Sequence, residues 1–251
     1  MSWLGAFFWP FMRIGAMMLA APVIGGEQVS VRVRLLLAVG LTIGVMPAMG
    51  TAPAVEPLSA DGLLISLNQV VIGLAMGLLV SLALQSASIA GESVALSMGL
   101  GFANMVDPNT GQSTPVVSQF LIVIATLLFL AMGGHLMLIE LTASSFDVMP
   151  VATEGLVNQD FRTVAAWGAQ MYAGAVLIAM PAVIGLLLVY LALGVMTRAA
   201  PQMNIFSVGF PITILMGYLA IMTLILPSLP GRMAGIWSDA FDTIGQLVGL
   251  T

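Results

Sequence analysis

Cysteine and lysine are both missing from this 251-residue sequence. Without cysteine the chain has no disulfide, no thiol nucleophile and no thiolate metal site. All six basic residues are arginines, and eleven acidic residues give a formal net charge of −5. Nucleic-acid partners are therefore not expected, because phosphate binding needs a basic face.

Charge of either sign is scarce, and this decides the broad class of the protein. Only 7% of the residues are charged, whereas 60% are hydrophobic. Soluble domains carry about 25% charged residues. The composition predicts an all-α integral membrane protein whose surface is covered mainly by lipid or by other subunits.

The apolar residues fall into about six long helical segments, which we expect to be arranged as hairpins. A helix needs about 20 residues to cross the hydrocarbon layer. The third and fifth segments exceed that length, so tilting, kinking or burial outside the bilayer is predicted. Pro181 predicts a kink or break in the fifth segment. The six segments comprise residues 3–21, 33–50, 63–97, 116–145, 163–197 and 205–228.

Catalytic constellations are not apparent. His135 and Glu140 do not have the His-Glu-x-x-His spacing of a zinc peptidase, and the chain has no second histidine. No Gly-x-Ser-x-Gly elbow, phosphate-binding loop or dinucleotide fingerprint is present. We therefore expect no enzyme activity, no metal site and no cofactor, and we interpret His135 as a structural residue between helices.

Three Gly-x-x-x-Gly spacings, at 40–44, 73–77 and 231–235, allow close approach of helices in lipid. Because the chain is rich in glycine, this spacing also arises by chance. It therefore predicts helix packing and nothing more specific.

The most unusual stretch lies between the third and fourth segments, in residues 98–115, MGLGFANMVDPNTGQSTP. Asp107 precedes Pro108, and a residue before proline disfavours the helical conformation. Non-helical backbone at membrane depth persists only where it is buried in protein or lines a wet cavity. The stretch is therefore predicted to be a loop enclosed by an assembly or placed at the mouth of a channel.

Three acidic residues, Glu92, Asp107 and Glu140, lie within or beside apolar segments. Acids at such positions are costly and are usually functional. They leave a small ion-coupled secondary transporter open as an alternative function. Asp107 also has a purely local interpretation, because Asp-Pro-Asn-Thr-Gly is typical of a turn.

The chain resembles the FliR family of flagellar biosynthesis proteins, the counterpart of the SctT subunit of virulence type III secretion systems. Several blocks in the same order carry this resemblance. They are RIGAMMLAAPVIG (13–25), VRVRLLLAVGLTIGVMP (31–47), GESVALSMGLGFANMVDPNTG (91–111), LLFLAMGGHLMLIELTASSF (127–146) and RAAPQMNIFSVGFPITILMG (198–217).

The resemblance implies a subunit of the flagellar export gate in the bacterial inner membrane, at the flagellar basal body. FliP and FliQ would be its partners in a closed pore, and FlhB would associate with them. Unfolded flagellar proteins would be the substrates. Residues 1–160 would form a FliP-like part, and residues 161–251 a FliQ-like helical hairpin.

The resemblance also implies site residues. The family has a plug loop, which falls at about residues 102–115 of this sequence, and a hairpin loop similar to that of FliQ, which falls at 198–204. The plug residues would be Met98, Phe102, Met105, Val106, Asp107 and Pro108, and the assembly residues of the hairpin loop would be Arg198, Pro201, Gln202 and Asn204.

Overall fold

The computed structural model describes residues 2–26, 29–48, 53, 55–100, 115–200 and 205–250, which form helices joined by turns. The predicted all-α fold is confirmed. A short 3₁₀ turn, Met46–Ala48, follows α2, and a π-helical turn, Ile221–Ile225, joins α7 to α8. The α-helices are α1 Ser2–Ala20, α2 Val31–Val45, α3 Ala60–Ser97, α4 Val116–Ala131, α5 Gly134–Val148, α6 Asn158–Ala199, α7 Ile205–Ala220 and α8 Leu226–Val248.

Three helical stretches are long and apolar enough to cross a membrane within the residues described: Ala60–Ser97, Asn158–Ala199 and Ser207–Val248. They contain 38, 42 and 42 residues. At 1.5 Å per residue each is about 57–63 Å long, roughly twice the ~30 Å thickness of the hydrocarbon layer. Each of these helices therefore extends well beyond a single perpendicular crossing.

The predicted fourth segment, 116–145, is not one helix. It forms α4 and α5, which are bent by 60° relative to each other. Gly133 stands at the bend with φ of 73°, a left-handed conformation that glycine adopts without steric cost. The next residue, Gly134, lies against the ring of Phe129, where a Cβ would overlap the ring carbons. Two adjacent glycines thus permit both the turn and the close contact.

The sixth segment extends further than residue 228. The helix continues through the π turn and α8 to Val248. In α8 the apolar residues Leu229, Met233, Trp237 and Ile244 are buried, while Asp239 and Asp242 are exposed. The charge-free run in the sequence ends at Arg232, so this helix was not predicted. It is amphipathic, and its apolar residues recur at helical spacing.

Pro181 does not break α6, because the helix runs without interruption from Asn158 to Ala199. Proline removes one hydrogen bond from a helix. Within membranes the backbone groups that it leaves unpaired are often satisfied by neighbouring helices or local adjustment. The predicted break is therefore absent, and a kink at Pro181 stays a prediction.

The chain divides into two compact units. One comprises residues 1–83, 129–168 and 237–251, and the other comprises 84–128 and 169–236. Each unit combines segments that are distant in sequence. This division describes spatial contacts, whereas the predicted FliP-like and FliQ-like parts concern relatedness to other subunits and stay a prediction.

In the first unit, α1 and α3 approach closely at Gly73 and Gly77. A Cβ on Gly73 would overlap the carbonyl oxygen of Arg13, and one on Gly77 would overlap that of Met17. The glycines at 40–44 and 231–235 have open space around a would-be Cβ. Of the three Gly-x-x-x-Gly spacings, the one at 73–77 therefore forms a helix contact within the described residues.

Arg13 is fully buried in the same unit and joins three helices. Its Nε donates to Gln69 Oε1 (2.8 Å), Nη1 donates to Ser145 Oγ (2.9 Å) and Nη2 donates to the carbonyl oxygen of Met149 (2.8 Å). The guanidinium also lies 4.2 Å from the ring centroid of Phe146. It thus pairs with carbonyl groups at the C-terminal end of α5, where a cation also interacts favourably with the helix dipole.

The contact at Gly73 predicts a position-specific effect. Gly73→Ala should lower the free energy of unfolding by about 1–3 kcal/mol, because the added methyl group meets rigid backbone. Gly40→Ala should be neutral or raise it by up to about 1 kcal/mol, because alanine favours the helix and space is open there. Thermal unfolding in detergent measures both. Equal midpoints would contradict the α1–α3 contact.

The Arg13 contacts predict that a positive charge at position 13 is not enough to maintain the stability of the fold. Arg13→Lys should lower the free energy of unfolding by about 2–3 kcal/mol, since a lysine ammonium cannot reproduce the planar fork and leaves buried acceptors unpaired. The matched control is Arg162→Lys, because Arg162 is exposed on α6. Thermal unfolding in detergent measures both variants. If Arg13→Lys were as stable as Arg162→Lys, the planar guanidinium of Arg13 would not be needed for these buried contacts.

Candidate functional site at the base of residues 101–114

The predicted plug residues Phe102, Met105, Val106, Asp107 and Pro108 lie outside the described residues, as do Pro201, Gln202 and Asn204 of the hairpin loop. The structure does describe both boundaries of residues 101–114. These boundaries are the end of α3 on one side and the start of α4 on the other. All contacts in this section belong to the second unit.

The end of α3 closes in a Schellman motif. The N–H of Leu100 donates to the carbonyl oxygen of Ala95 (3.0 Å), and that of Gly99 donates to Leu96 (3.0 Å). Gly99 has φ of 84°, as the left-handed position of this motif requires. The helix therefore ends at a defined residue, immediately before residues 101–114.

Two side chains from other helices hold the same end of α3. The Tyr190 hydroxyl on α6 donates to the carbonyl oxygen of Ser97 (3.0 Å). Thr213 Oγ1 on α7 lies 3.2 Å from the carbonyl oxygen of Met98 and 2.9 Å from that of Phe210 in its own helix, so its single hydrogen is shared between the two acceptors. The carbonyl groups of Ser97 and Met98 lie in the last turn, where no intrahelical donor remains for them. We call Ser97, Met98, Tyr190 and Thr213, together with Gly217, the α3 anchor.

Met98 is the one predicted plug residue whose surroundings the structure describes. It is 0% exposed and lies against Gly217, where a Cβ would overlap its Cγ and Sδ atoms. Within this chain Met98 is therefore packed at the base of the segment. Its role as a sealing residue stays a prediction.

The start of α4 is held by a serine pair. Ser118 Oγ on α4 donates to the carbonyl oxygen of Ser88 on α3 (2.7 Å), and the two hydroxyl oxygens are 2.9 Å apart. Beside them Gly91 lies so close to Ser118 that a Cβ would overlap the backbone of α4. The described residues on both sides of 101–114 are thus held by contacts within the chain.

A small apolar cavity of about 130 Å³ lies next to the start of α4. Val116, Val117 and Phe120 line one side, and Tyr218, Ile221 and Met222 line the other. Ile221 belongs to the π-helical turn, a type of distortion that frequently occurs at functional sites. Flexible methionine and aromatic side chains here can rearrange around different neighbours.

Arg198 is exposed at the end of α6, next to the predicted hairpin loop. An open groove of about 610 Å³ runs along this end of the helix and is lined by Tyr190, Leu191, Gly194 and Val195 as well as Arg198. Tyr190 also belongs to the α3 anchor. The end of α6 therefore contacts α3 and also presents an exposed face.

Two of the three acidic residues singled out from the sequence, Glu92 and Glu140, are described, and each is exposed. Asp107 lies outside the described residues. The Nδ1 atom of His135 is buried without a hydrogen-bond partner among the described residues. Among the residues described, no group of three or more histidine or acidic side chains is placed to hold a metal ion. Ion coupling through gathered carboxylates gains no support from this arrangement.

Chemically, the arrangement supplies neutral hydroxyl donors, backbone acceptors and apolar surfaces. Such a site positions a segment of chain and offers no nucleophile paired with a base. Sequence reasoning identified the segment but missed its anchoring residues Tyr190, Thr213, Ser88 and Ser118. The sequence signal that could have indicated these contacts is glycine at the points where helices meet, such as Gly91 and Gly217. Glycine is too frequent in this chain for these two to be singled out.

Comparison with known proteins agrees with this picture of a helical export component. Residues 4–240 match the model of bacterial export proteins, family 1. Flagellar biosynthetic protein FliR of Pectobacterium carotovorum subsp. carotovorum is 36% identical over 249 residues, covering 98% of this chain and 94% of its own length. FliR of Escherichia coli (strain K12) is 33% identical over 248 residues, covering 99% and 94%. FliR of Aquifex aeolicus (strain VF5) is 31% identical over 238 residues, covering 95% and 92%.

The all-α membrane fold and the matched family model together define a protein of the bacterial export class. More particularly, the chain belongs to the FliR family of flagellar biosynthetic proteins.

The α3 anchor predicts that removing the hydroxyl group of Tyr190 or of Thr213 loosens the end of α3. Each anchor hydrogen bond contributes about 1 kcal/mol, which corresponds to about a five-fold change in the population of a displaced α3 end. Tyr190→Phe should raise protease cleavage within residues 101–114 of membrane-embedded protein by about that factor, and Thr213→Val by less, because the Thr213 hydroxyl also has the carbonyl oxygen of Phe210 as an acceptor. Tyr172→Phe, which removes an exposed hydroxyl from the same helix, should have no effect. Equal cleavage in Tyr190→Phe and Tyr172→Phe would contradict the anchor.

Proposed function

We propose that this chain, a component of the flagellar protein-export apparatus, forms a closed pore with FliP and FliQ through which unfolded flagellar proteins pass. The complex would lie in the bacterial inner membrane at the flagellar basal body, with FlhB associated. Residues 102–115 would form the plug of this pore. The observation that carries the proposal is that the described residues flanking 101–114 are held on both sides, by the α3 anchor and by the Ser88–Ser118 pair.

A plug has to be presented from a rigid base, and the contacts around α3 and α4 supply one. A segment held at both ends loses less conformational entropy on entering a pore than a freely moving loop does. Its apolar residues Phe102, Met105 and Val106 would meet the pore axis, and Asp107-Pro108 would form the turn that presents them. Met98 would support this arrangement from below, packed against Gly217.

Exposed apolar surface on α6 supports assembly with other subunits. Exposed side chains extend from Phe161 (49%) to Met196 (44%). These positions are 35 residues apart, or about 53 Å along the helix, which exceeds the ~30 Å that lipid can cover. The exposed set also includes Tyr172, Met180 and Tyr190, and aromatic and methionine side chains are enriched in protein interfaces.

The hairpin loop at the end of α6 is the second proposed contact region. Exposed Arg198 and its open groove would meet a neighbouring subunit, together with Pro201, Gln202 and Asn204. On this proposal the hairpin belongs to the FliQ-like part, 161–251, whereas the plug belongs to the FliP-like part, 1–160.

The proposed mechanism needs no recognition of particular substrate sequences. A narrow ring of methionine and phenylalanine side chains excludes water when it is closed, so ions do not leak. The same side chains deform around unlike residues when a polypeptide passes, because methionine has three flexible torsions and a polarizable sulfur. A single conduit can then serve many substrates.

The plug assignment predicts an ion leak. Deleting residues 106–113 in cells that make the complete export apparatus should raise membrane conductance several-fold, because the dewetted constriction is lost. A same-length Gly/Ser replacement of 106–113 should leak as well, since it keeps the chain length but lacks the apolar side chains. Co-purification of the other subunits checks assembly. Assembled complexes with wild-type conductance would show that this segment does not seal the pore.

A further inference from the structure

A second cavity, far from residues 101–114 in sequence, lies in the first unit between α1, α2 and α3. Its volume is about 420 Å³, which is within the 300–1,000 Å³ typical of ligand sites. The walls are almost entirely apolar and include Phe11, Met12 and Leu19 of α1, Leu35 of α2 and Leu74 of α3. The site described above does not use this groove.

Arg34 gives the groove one positively charged end. Among the described residues that line the cavity, Arg34 is the one that carries a charge. Its Nε donates to the carbonyl oxygen of Ile24 (2.9 Å), and its Nη2 contacts the carbonyl oxygens of Gly25 (3.1 Å) and Gly26 (3.0 Å). These contacts hold the guanidinium at the α1–α2 turn. They leave Nη1 without a hydrogen bond to the described residues.

The groove has a direction. Along α1 it runs from Leu19, beside the turn, to Phe11, a distance of about 12 Å for eight helical residues. Along α2 it runs from Val31 and Arg34 to Ala38. A cation therefore stands at one end and hydrocarbon continues away from it, which matches the arrangement of phosphate and acyl chain in a phospholipid.

The outer surface of α2 favours lipid over a protein partner. Its exposed side chains beyond the first turn, such as Leu36 (71%), Leu37 and Ile43, are aliphatic. No charged, aromatic or methionine residue occurs from Leu35 to Val45. Protein interfaces are enriched in aromatic residues, methionine and arginine, as on α6, whereas a helix facing hydrocarbon needs only aliphatic surface. Arginine at the end of such a helix is typical of the headgroup level.

We propose that this groove binds one acyl chain of an anionic phospholipid, with the lipid phosphate at Arg34. The formal net charge of −5 disfavours anionic lipids around the chain as a whole, so retention of such a lipid requires local positive charge. Basic pockets between membrane helices bind anionic headgroups in this way. Arg32 adds a second positive charge to the first turn of α2, on another face of the helix.

The test counts phosphatidylglycerol molecules that remain bound to the full-length chain, extracted in detergent with the subunits that co-purify with it, by native mass spectrometry. Gly15→Leu fills the groove, since Gly15 lines it and has open space around a would-be Cβ. We expect this variant to retain one phosphatidylglycerol fewer per chain. Gly40→Leu is the matched control, because Gly40 is also a helical glycine with open space but does not line the groove.

A second variant tests the contribution of the positive charge at Arg34. Arg34→Gln should weaken phosphatidylglycerol binding about five-fold relative to wild type, whereas phosphatidylethanolamine binding should change little. Unchanged lipid counts in Gly15→Leu would overturn the proposal. So would equal retention of the two lipids by the wild-type chain, or efficient cross-linking of Gly15→Cys to a partner subunit, which would identify protein as the occupant.

Discussion

Backbone carbonyl groups at the ends of helices need hydrogen-bond donors, and a chain with so little charge and so much buried apolar surface cannot rely on water to supply them. Among the described residues, side chains from elsewhere in the chain supply such donors. Arg13 serves the end of α5, Arg34 serves the turn after α1, and Tyr190 with Thr213 serves the end of α3. The two helix ends and the turn at these places depend on these contacts.

The same requirement explains how non-helical backbone coexists with long apolar helices. Each turn that the structure describes at these points is short and receives donors from a fixed partner. The Schellman motif at Gly99 satisfies two further carbonyl groups within α3 itself. The end of α3 that precedes residues 101–114 therefore has its last carbonyl groups paired within the chain.

Surface composition separates two kinds of environment along the chain. The exposed large side chains of α2 beyond its first turn are all aliphatic, whereas α6 exposes tyrosine, phenylalanine and methionine in addition to aliphatic residues, over a length greater than the hydrocarbon layer. Lipid tails require no more than apolar contact, while a protein interface uses larger and more adaptable side chains. One chain of this kind can face the bilayer on one helix and other subunits on another.

The fold class was predictable because composition and charge-free runs depend on each residue's own polarity. The start and end of α3 were close to the predicted 63–97 for the same reason. Other features depend on three-dimensional neighbours. The bend at Gly133 divided a segment that appeared continuous, and α8 was missed because Arg232, Asp239 and Asp242 lie on its polar side. At the site, the segment was recognisable from Asp107-Pro108, but Tyr190 and Thr213 lie about a hundred residues further along the chain and carry no motif.

The hydroxyl groups and backbone carbonyls that hold the ends of residues 101–114 are electrically neutral. An elementary charge moved across 100 mV gains about 2.3 kcal/mol, whereas a neutral dipole pair gains almost nothing. Membrane voltage therefore exerts little direct force on these attachments. Energization of the membrane would reach them mechanically, through movement of charged groups elsewhere.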